Sequence, residues 1–367
     1  MNKPRRHLSA SRKVRRHRTR AVVIVATLAT LAIGVPWSSA AASRQTRNVS
    51  AVPSRPGPTA KPSFPTFVHL PRDQAAHPGA GIEWWYTIGH ITSGRHEYGY
   101  EVQLVAGGAA QIGFTDITAG NYASQQHIYA ANRVSVSSTA LDVRMPAASL
   151  SGPLSDMHLT ADLPHGMGTL RLTLKATGPT VYANGTGLFP FLGGTSYYYS
   201  VPKVKTSGTL TLHGRSAHVT GTSWLDRQWG NWDWSKLHKW TWMALQLSNG
   251  QVLNLWDLFD TTGETHWATV LSPDGSERVV SVNPLASTAT RFKTSPVTGQ
   301  RYAGKWIVRI PSLQAKLTVT AKPVLQEIDS GAPFSPGINE AASVVTGTYL
   351  GRPVAGESYV EQFGMWK

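Results

Sequence analysis

The chain has 367 residues, 41% hydrophobic and 15% charged, with 34 glycines and 23 prolines, which is enough for two ordinary domains. Its formal charge of +15 is concentrated in residues 1–62, whose thirteen Lys and Arg face no Asp or Glu; the remainder holds 22 basic and 20 acidic residues and gives no reason to expect a nucleic-acid partner. There is no cysteine, which excludes disulfides, thiolate nucleophiles and thiolate metal sites.

Residues 1–20 form a basic leader. An apolar run follows over 21–35, and then the small residues Ser38, Ser39, Ala40, Ala41 and Ala42. That layout predicts a signal peptide over 1–42, with cleavage near Ala40–Ala42 and an extracytoplasmic or secreted product. The run is short for a spanning helix and Pro36 interrupts it. Residues 43–65 are rich in Pro, Ser and Arg without hydrophobic period, and predict a disordered linker. A tether that keeps the protein near the membrane or cell envelope is the alternative reading of that stretch.

From residue 66 the pattern is β. Runs over 82–90 and 96–105 flank Thr92-Ser-Gly-Arg95, a hairpin turn, and Tyr98, Tyr100, Val102 and Leu104 alternate with polar or small residues. Further short runs fall at 112–116, 127–131, 141–145, 157–163, 168–176 and 207–212. A second series falls at 240–247, 252–259, 265–271, 277–282, 305–310, 317–321, 342–350 and 357–363. Strands at this spacing without helices between them predict an all-β fold of antiparallel barrels or sandwiches. The hairpin at Asn249-Gly250 can be laid over the first, with Trp84 on Trp240, Ile91 on Leu247, Gly94 on Gly250 and Tyr100 on Trp256. That match suggests two similar β-barrels, over 66–230 and 231–367.

The chain is densest in tryptophan at 221–234, where Trp224, Trp229, Trp232 and Trp234 surround Asp226, Arg227 and Asp233. Eight of the thirteen tryptophans lie between 221 and 270. Exposed tryptophan invites association, so the stretch reads as core or as the wall of an apolar pocket at the domain junction.

Three ordered motifs carry a resemblance. Glu83-Trp-Trp-Tyr86 with Gly89-His90 and Tyr98-Gly-Tyr100 comes first. Gly221-Thr-Ser-Trp-Leu-Asp-Arg-Gln-Trp-Gly230 is second, and Gly347-Thr-Tyr349 with Gly356-Glu-Ser-Tyr-Val-Glu361 is third. Together they resemble the AttH-like/carotenoid 1,2-hydratase (hydroxyneurosporene synthase) family. The resemblance implies two lipocalin-like antiparallel β-barrels in tandem. It also implies hydration of carbon–carbon double bonds in apolar substrates, with Asp226 at the position of the hydratases' acid. At Tyr197-Tyr-Tyr199 the chain departs from the hydratases, which carry a His and a Trp there.

Hydrating an isolated double bond needs a strong proton donor, tolerance for a carbocation, and water. A carboxylic acid kept protonated among aromatic rings supplies the first, and the ring faces supply the second. If the segment is extended, Trp224 and Asp226 share one face and Arg227 takes the other. Asp226 is therefore the candidate acid, with a structural carboxylate as the alternative. Trp224, Trp229, Tyr197, Tyr199, Trp85, Glu83 and Arg227 are the candidate binding residues. Glu83 reads either as a second pocket carboxylate or as a buried partner of Arg227. Trp84 and Trp85 point to opposite faces, so one of them at most lines a cavity. His90 reads as a packed histidine. Metal-ligand spacing, a phosphate loop and a nucleophile elbow are all missing, so no metal and no cofactor is expected. The expected partner is a hydrophobic small molecule: a polyene, terpenoid or lipid. The readings in competition are a hydro-lyase or isomerase, a non-catalytic carrier, and a carbohydrate-binding module.

Overall fold

The computed structural model describes residues 66–328 and 337–366. The expected signal peptide over 1–42 and linker over 43–65 lie outside the described residues. Among those described there is no α-helix, only short 3-10 turns between strands.

Thirteen strands form the first sheet. They are β1 (Ile82–Ser93), β2 (His96–Val105), β3 (Ala109–Asp116), β4 (Asn121–Ile128), β5 (Ser135–Val136), β6 (Asp142–Met145), β7 (Ala148–Ser151), β8 (Met157–Leu163), β9 (Gly168–Ala176), β10 (Val181–Tyr182), β11 (Leu188–Phe191), β12 (Gly194–Leu212) and β13 (Arg215–Asn231). The second sheet is built from β14 (Leu237–Leu247), β15 (Val252–Asp260), β16 (Gly263–Leu271) and β17 (Glu277–Ser281). After a small separate ladder of β18 (Lys293–Thr294) and β19 (Arg301–Tyr302) it continues with β20 (Lys305–Ile310), β21 (Ala315–Ala321), β22 (Gly337–Tyr349) and β23 (Arg352–Gly364).

The two sheets follow one path. In the first the order is β4-β3-β2-β1-β13-β12-β9-β8, continuing to β5; in the second it is β17-β16-β15-β14-β23-β22-β21-β20. All pairings are antiparallel, and each sheet curls, so that β3 lies against β8 and β2 against β7. The all-β expectation holds, as two curled antiparallel sheets of the half-barrel kind.

Side-chain alternation explains what fills each curl. Strand residues point to opposite faces in turn. The inner face of the first sheet gathers Val102, Leu104, Leu150, Leu159, Leu172 and Leu225 with their neighbours into one buried cluster. The inner face of the second does the same with Leu245, Leu255, Val308, Leu317, Val345 and Val360. Aliphatic side chains thus occupy both interiors, each fully buried one stabilising by roughly 1.5–3 kcal/mol.

The outer faces of β1, β2, β12 and β13 are buried as well, against β14, β15, β22 and β23. Bonds crossing this seam include Tyr86 Oη to Glu340 at 2.6 Å and Asn254 Nδ2 to Ser200 at 2.9 Å, and beside it Thr115 Oγ1 of β3 donates to Gln326 at 2.7 Å. Burial on both faces accounts for the period-two signal missing over 198–201 of β12 and 223–230 of β13. β12 and β13 run 19 and 17 residues, where only the short run 207–212 is predicted. A strand covered on both sides carries large residues at every position and loses its period-two signal. The fourth strand also differs: it occupies Asn121–Ile128 rather than 127–131.

Candidate active site

Strand β13 carries the central motif, and its two faces do different work. It pairs with β1 so that Asp226 lies opposite Tyr86 and Arg227 opposite Trp85. On its other side, β12 sets Ser200 against Asp226 and Tyr199 against Arg227.

The odd-numbered face points into the first curl. Arg227 is fully buried there. Its Nη2 donates to Glu83 Oε1 at 2.6 Å and to the Ala75 carbonyl at 2.7 Å, and its Nη1 donates to the Trp84 carbonyl at 2.9 Å. The guanidinium lies 4.0 Å from the Trp85 ring centroid and 5.3 Å from that of Trp229. His77 closes the arrangement, stacked 4.0 Å from Trp229 and bonded to Glu83 at 2.7 Å. Burial alone would raise the Glu83 carboxyl, but His77 and Arg227 overcome it and hold Glu83 below its ordinary value. Tyr197 stacks on Trp229, and Tyr199 is buried beside it. The Glu83–Arg227 pair expected as one of two readings is present.

The even-numbered face points at the second sheet. Asp226 is 4% exposed. Its Oδ2 accepts from Tyr198 Oη at 2.6 Å, and its Oδ1 accepts from Trp224 Nε1 at 2.6 Å. Tyr198 in turn accepts from Asn254 Nδ2 at 2.7 Å, and Asn254 accepts from Trp242 Nε1 at 3.1 Å. Desolvation pushes the Asp226 carboxyl up to about 7, against the hydrogen bonds of Ser200, Tyr198 and Trp224, which lower it. Such a group is part acid and part base near neutrality.

The structure therefore divides the eight candidate residues. It brings Asp226 and Trp224 together. It places Trp229, Tyr197, Tyr199, Trp85, Glu83 and Arg227 on the opposite face of the same strands, so a single pocket shared by all eight does not form. The tyrosine that reaches Asp226 is Tyr198, the middle one of the three. The reason is parity: across an antiparallel ladder, the side chain that shares a face with Asp226 is fixed by register, which the sequence leaves open.

Three further carboxyls stand on this face, from β2, β22 and β23: Glu101, Glu340 and Glu361. Glu101 and Glu340 are buried, while Glu361 is half-buried and the most accessible of the four acids. Desolvation raises all three, and each feels at least one of the others or Asp226. Glu361 is pushed up to about 8, and Glu101 and Glu340 well above the ordinary range. None of the four makes an ion pair among the described residues. Of the three glutamates only Glu361 lies within one of the sequence motifs, and Glu101 reads as the polar half of an alternating strand.

Rings pack together beside these carboxyls. Trp240 stacks on Phe363 at 4.5 Å and meets Trp256 at 5.8 Å and Trp234 at 6.1 Å. Trp84 meets Trp232 edge-on at 5.6 Å. Trp84, Trp232 and Trp234 are half-buried, whereas Trp240, Trp242 and Trp256 are buried. The rings form one run of contacts from half-buried to buried, with pairs each contributing about 0.5–1.5 kcal/mol beyond burial. Among the described residues no group of acids and histidines has the arrangement to hold a metal ion.

Against known proteins, the AttH-like family model matches residues 61–365. The chain belongs to the AttH-like family. Its fold is similar to an AttH protein of Nitrosomonas europaea, with a TM-score of 0.71 at 22% identity, covering 83% of this chain and 99% of that one. It is similar also to kievitone hydratase of Nectria haematococca, with a TM-score of 0.69 at 22% identity, covering 84% and 96%. At these identities the likeness is one of fold. In sequence, the AttH-like chain is 28% identical over 173 residues to dehydratase asqC of Emericella nidulans, covering 43% of this chain and 47% of that relative. The match thus spans less than half of that relative's length. The chain is thus an AttH-like protein of lipocalin-type fold, and a dehydratase is among the proteins it resembles in sequence.

Proposed function

We propose that this protein is a lyase or isomerase that protonates a carbon–carbon double bond of an apolar polyene, terpenoid or lipid, with Asp226 as the general acid. The observation that carries the reading is the position of Asp226: desolvated, poised near neutrality, oriented by Tyr198 and Trp224, and surrounded by aromatic rings.

The step balances simply. The Asp226 carboxyl gives its proton to one alkene carbon, forming a C–H bond and leaving positive charge on the neighbouring carbon. Ring faces tolerate that charge, at about 1–2 kcal/mol per desolvated ring. A water oxygen bonds to the cationic carbon, and the proton it sheds returns to a carboxylate. Run backwards, the same steps dehydrate an alcohol. Loss of a different proton from the cation instead moves the double bond.

Support also comes from what fills the curls. Ligand-holding barrels keep a hollow interior, but here both interiors hold the chain's own aliphatic side chains. That disfavours a carrier that holds its ligand inside either curl. The carbohydrate reading calls for open, coplanar tryptophans, and none of the twelve described tryptophans is exposed.

The decisive experiment identifies by mass spectrometry the apolar molecules that copurify with the protein. These are then incubated in oxygen-18 water with the wild type and with Asp226→Asn. Incorporation of labelled water, or a shifted double bond, with the wild type alone supports the assignment. Equal turnover by the variant removes Asp226 from the chemistry, and binding without turnover by either protein leaves the carrier. Export belongs to the proposal on the strength of residues 1–42 alone, and sequencing the amino terminus of the mature protein checks it.

A further inference from the structure

We propose that the carboxyl cluster in the seam is a site for a ligand-borne positive charge, the cationic centre that the apolar ligand acquires once Asp226 has given up its proton, which a quaternary ammonium imitates. This deepens the reading above and rests on its premise that the seam admits an apolar ligand.

The chain supplies its own comparison. On one face of β1 and β13, a carboxylate (Glu83) and two tryptophan rings (Trp85 and Trp229) hold a cation, the Arg227 guanidinium. On the other face the same ingredients recur in greater number. Four carboxyls converge from four strands, beside Tyr86, Trp224, Trp240, Trp242 and Trp256, and no ion pair reaches any of them among the described residues. A carboxylate with aromatic faces attracts cations, and desolvation strengthens that attraction.

Unpartnered polar atoms point the same way. Both carboxyl oxygens of Glu101 are buried, with the Gly113 backbone amide as a loosely aligned donor and no side-chain donor. The Tyr359 hydroxyl is buried without a hydrogen-bond partner of good geometry, and its electrostatic neighbours include Glu101 and Glu340. Buried polar groups are normally satisfied, so those left open mark a place where a charged or polar partner is stabilised. An occupant carrying only apolar surface would add no partner for these oxygens. A cation would attract the acids and lie against the rings without needing a geometry of its own.

Protons are the competing occupants. With no cation present, like-charge crowding and desolvation keep the acids protonated, and a bound cation favours their ionisation. The groups that face the site are Asp226 from β13, Glu101 from β2, Glu340 from β22 and Glu361 from β23. The phenols are Tyr86 from β1, Tyr122 from β4, Tyr198 from β12 and Tyr359 from β23, with His90 of β1 beside Tyr359. All four phenols are pushed well above their ordinary value by burial and do not titrate below pH 10. Binding of a permanent cation therefore strengthens as pH rises through the range where Asp226 and Glu361 lose their protons.

The test uses two probes of one shape, benzyltrimethylammonium and neopentylbenzene, which differ by a nitrogen cation in place of a carbon. Tryptophan fluorescence and calorimetry on the full chain give their affinities at pH 6 and pH 9. The expected result is that the ammonium binds about tenfold or more tightly than the hydrocarbon at pH 9, loses most of that advantage at pH 6, and loses it at both pH values in Glu361→Gln. Glu101→Gln is the second variant, and circular dichroism confirms the fold of each. If both probes bind alike, or if both variants keep the wild-type preference, the cation site is wrong and the apolar-ligand reading stands. If neither probe binds at either pH, the premise of an apolar ligand in the seam fails with it.

Discussion

Tyr198 donates its hydroxyl hydrogen to Asp226 Oδ2 at 2.6 Å, although neither residue is the other's partner in the β12–β13 ladder. The bond is diagonal. Ser200 is the residue opposite Asp226, and its small side chain leaves room for the tyrosine two positions away on the same face.

Replacing Tyr198 by Phe removes a donor that favours the ionised carboxyl. The Asp226 titration then moves upward from about 7, and so does the falling limb of any pH–rate profile that depends on its acid form. Loss of this bond to a charge-bearing group costs about 1.5–3 kcal/mol of stability. Carbon-13 spectra of labelled aspartate, recorded against pH, report the titration directly. A downward shift would contradict the assignment.

Asp226 also links stability to pH. Its folded value of about 7 exceeds the ordinary 3.8, so the folded state holds a proton that the unfolded chain has released. Stability contributed by this group falls as pH rises from about 4 to about 7 and is constant above. The size of the fall is on the order of 4 kcal/mol. Asp226→Asn does not titrate, so urea midpoints measured at pH 5 and pH 8 should differ less in the variant than in the wild type.

Arg227→Met leaves Glu83 buried with only His77 as a charged-capable partner. A loss of about 3–5 kcal/mol follows, mostly from the carboxylate left behind. Adding Glu83→Gln to the same chain should recover part of it. A double variant as unstable as the sum of the two singles would show that the pair is not coupled.

Gly221 opens the central motif and lies opposite Ile91 in β1. A Cβ at this position would overlap the His90 carbonyl oxygen and crowd the Ile91 backbone. Gly221→Ala forces β1 and β13 apart where the motif begins, and a destabilisation above about 2 kcal/mol is expected. An unchanged thermal midpoint would mean that the strands yield there without cost.

Much of the fold was legible in the chain. The hairpin turns at Gly94 and Gly250 and the alternation of β2 announced antiparallel β structure, and β2, β8, β9 and β20 begin and end where the pattern predicts. The repeat of one hairpin in the other anticipated two sheets of the same path. The motif around Asp226 also told that Trp224 shares its face and Arg227 does not, because strand alternation is a local property.

Tertiary structure decided the rest. Whether Tyr197, Tyr198 or Tyr199 meets Asp226 depends on the β12–β13 register, which a one-residue slip would invert. The company of Glu101, Glu340 and Glu361 depends on two sheets meeting outer face to outer face, and no local pattern records that contact. From its own residues the chain determined the strands, their alternation and the acid among tryptophans, since these rest on neighbours along the backbone. The other three carboxyls came to that acid only through packing, because the desolvation and mutual repulsion that hold their protons exist only once distant strands have excluded water together.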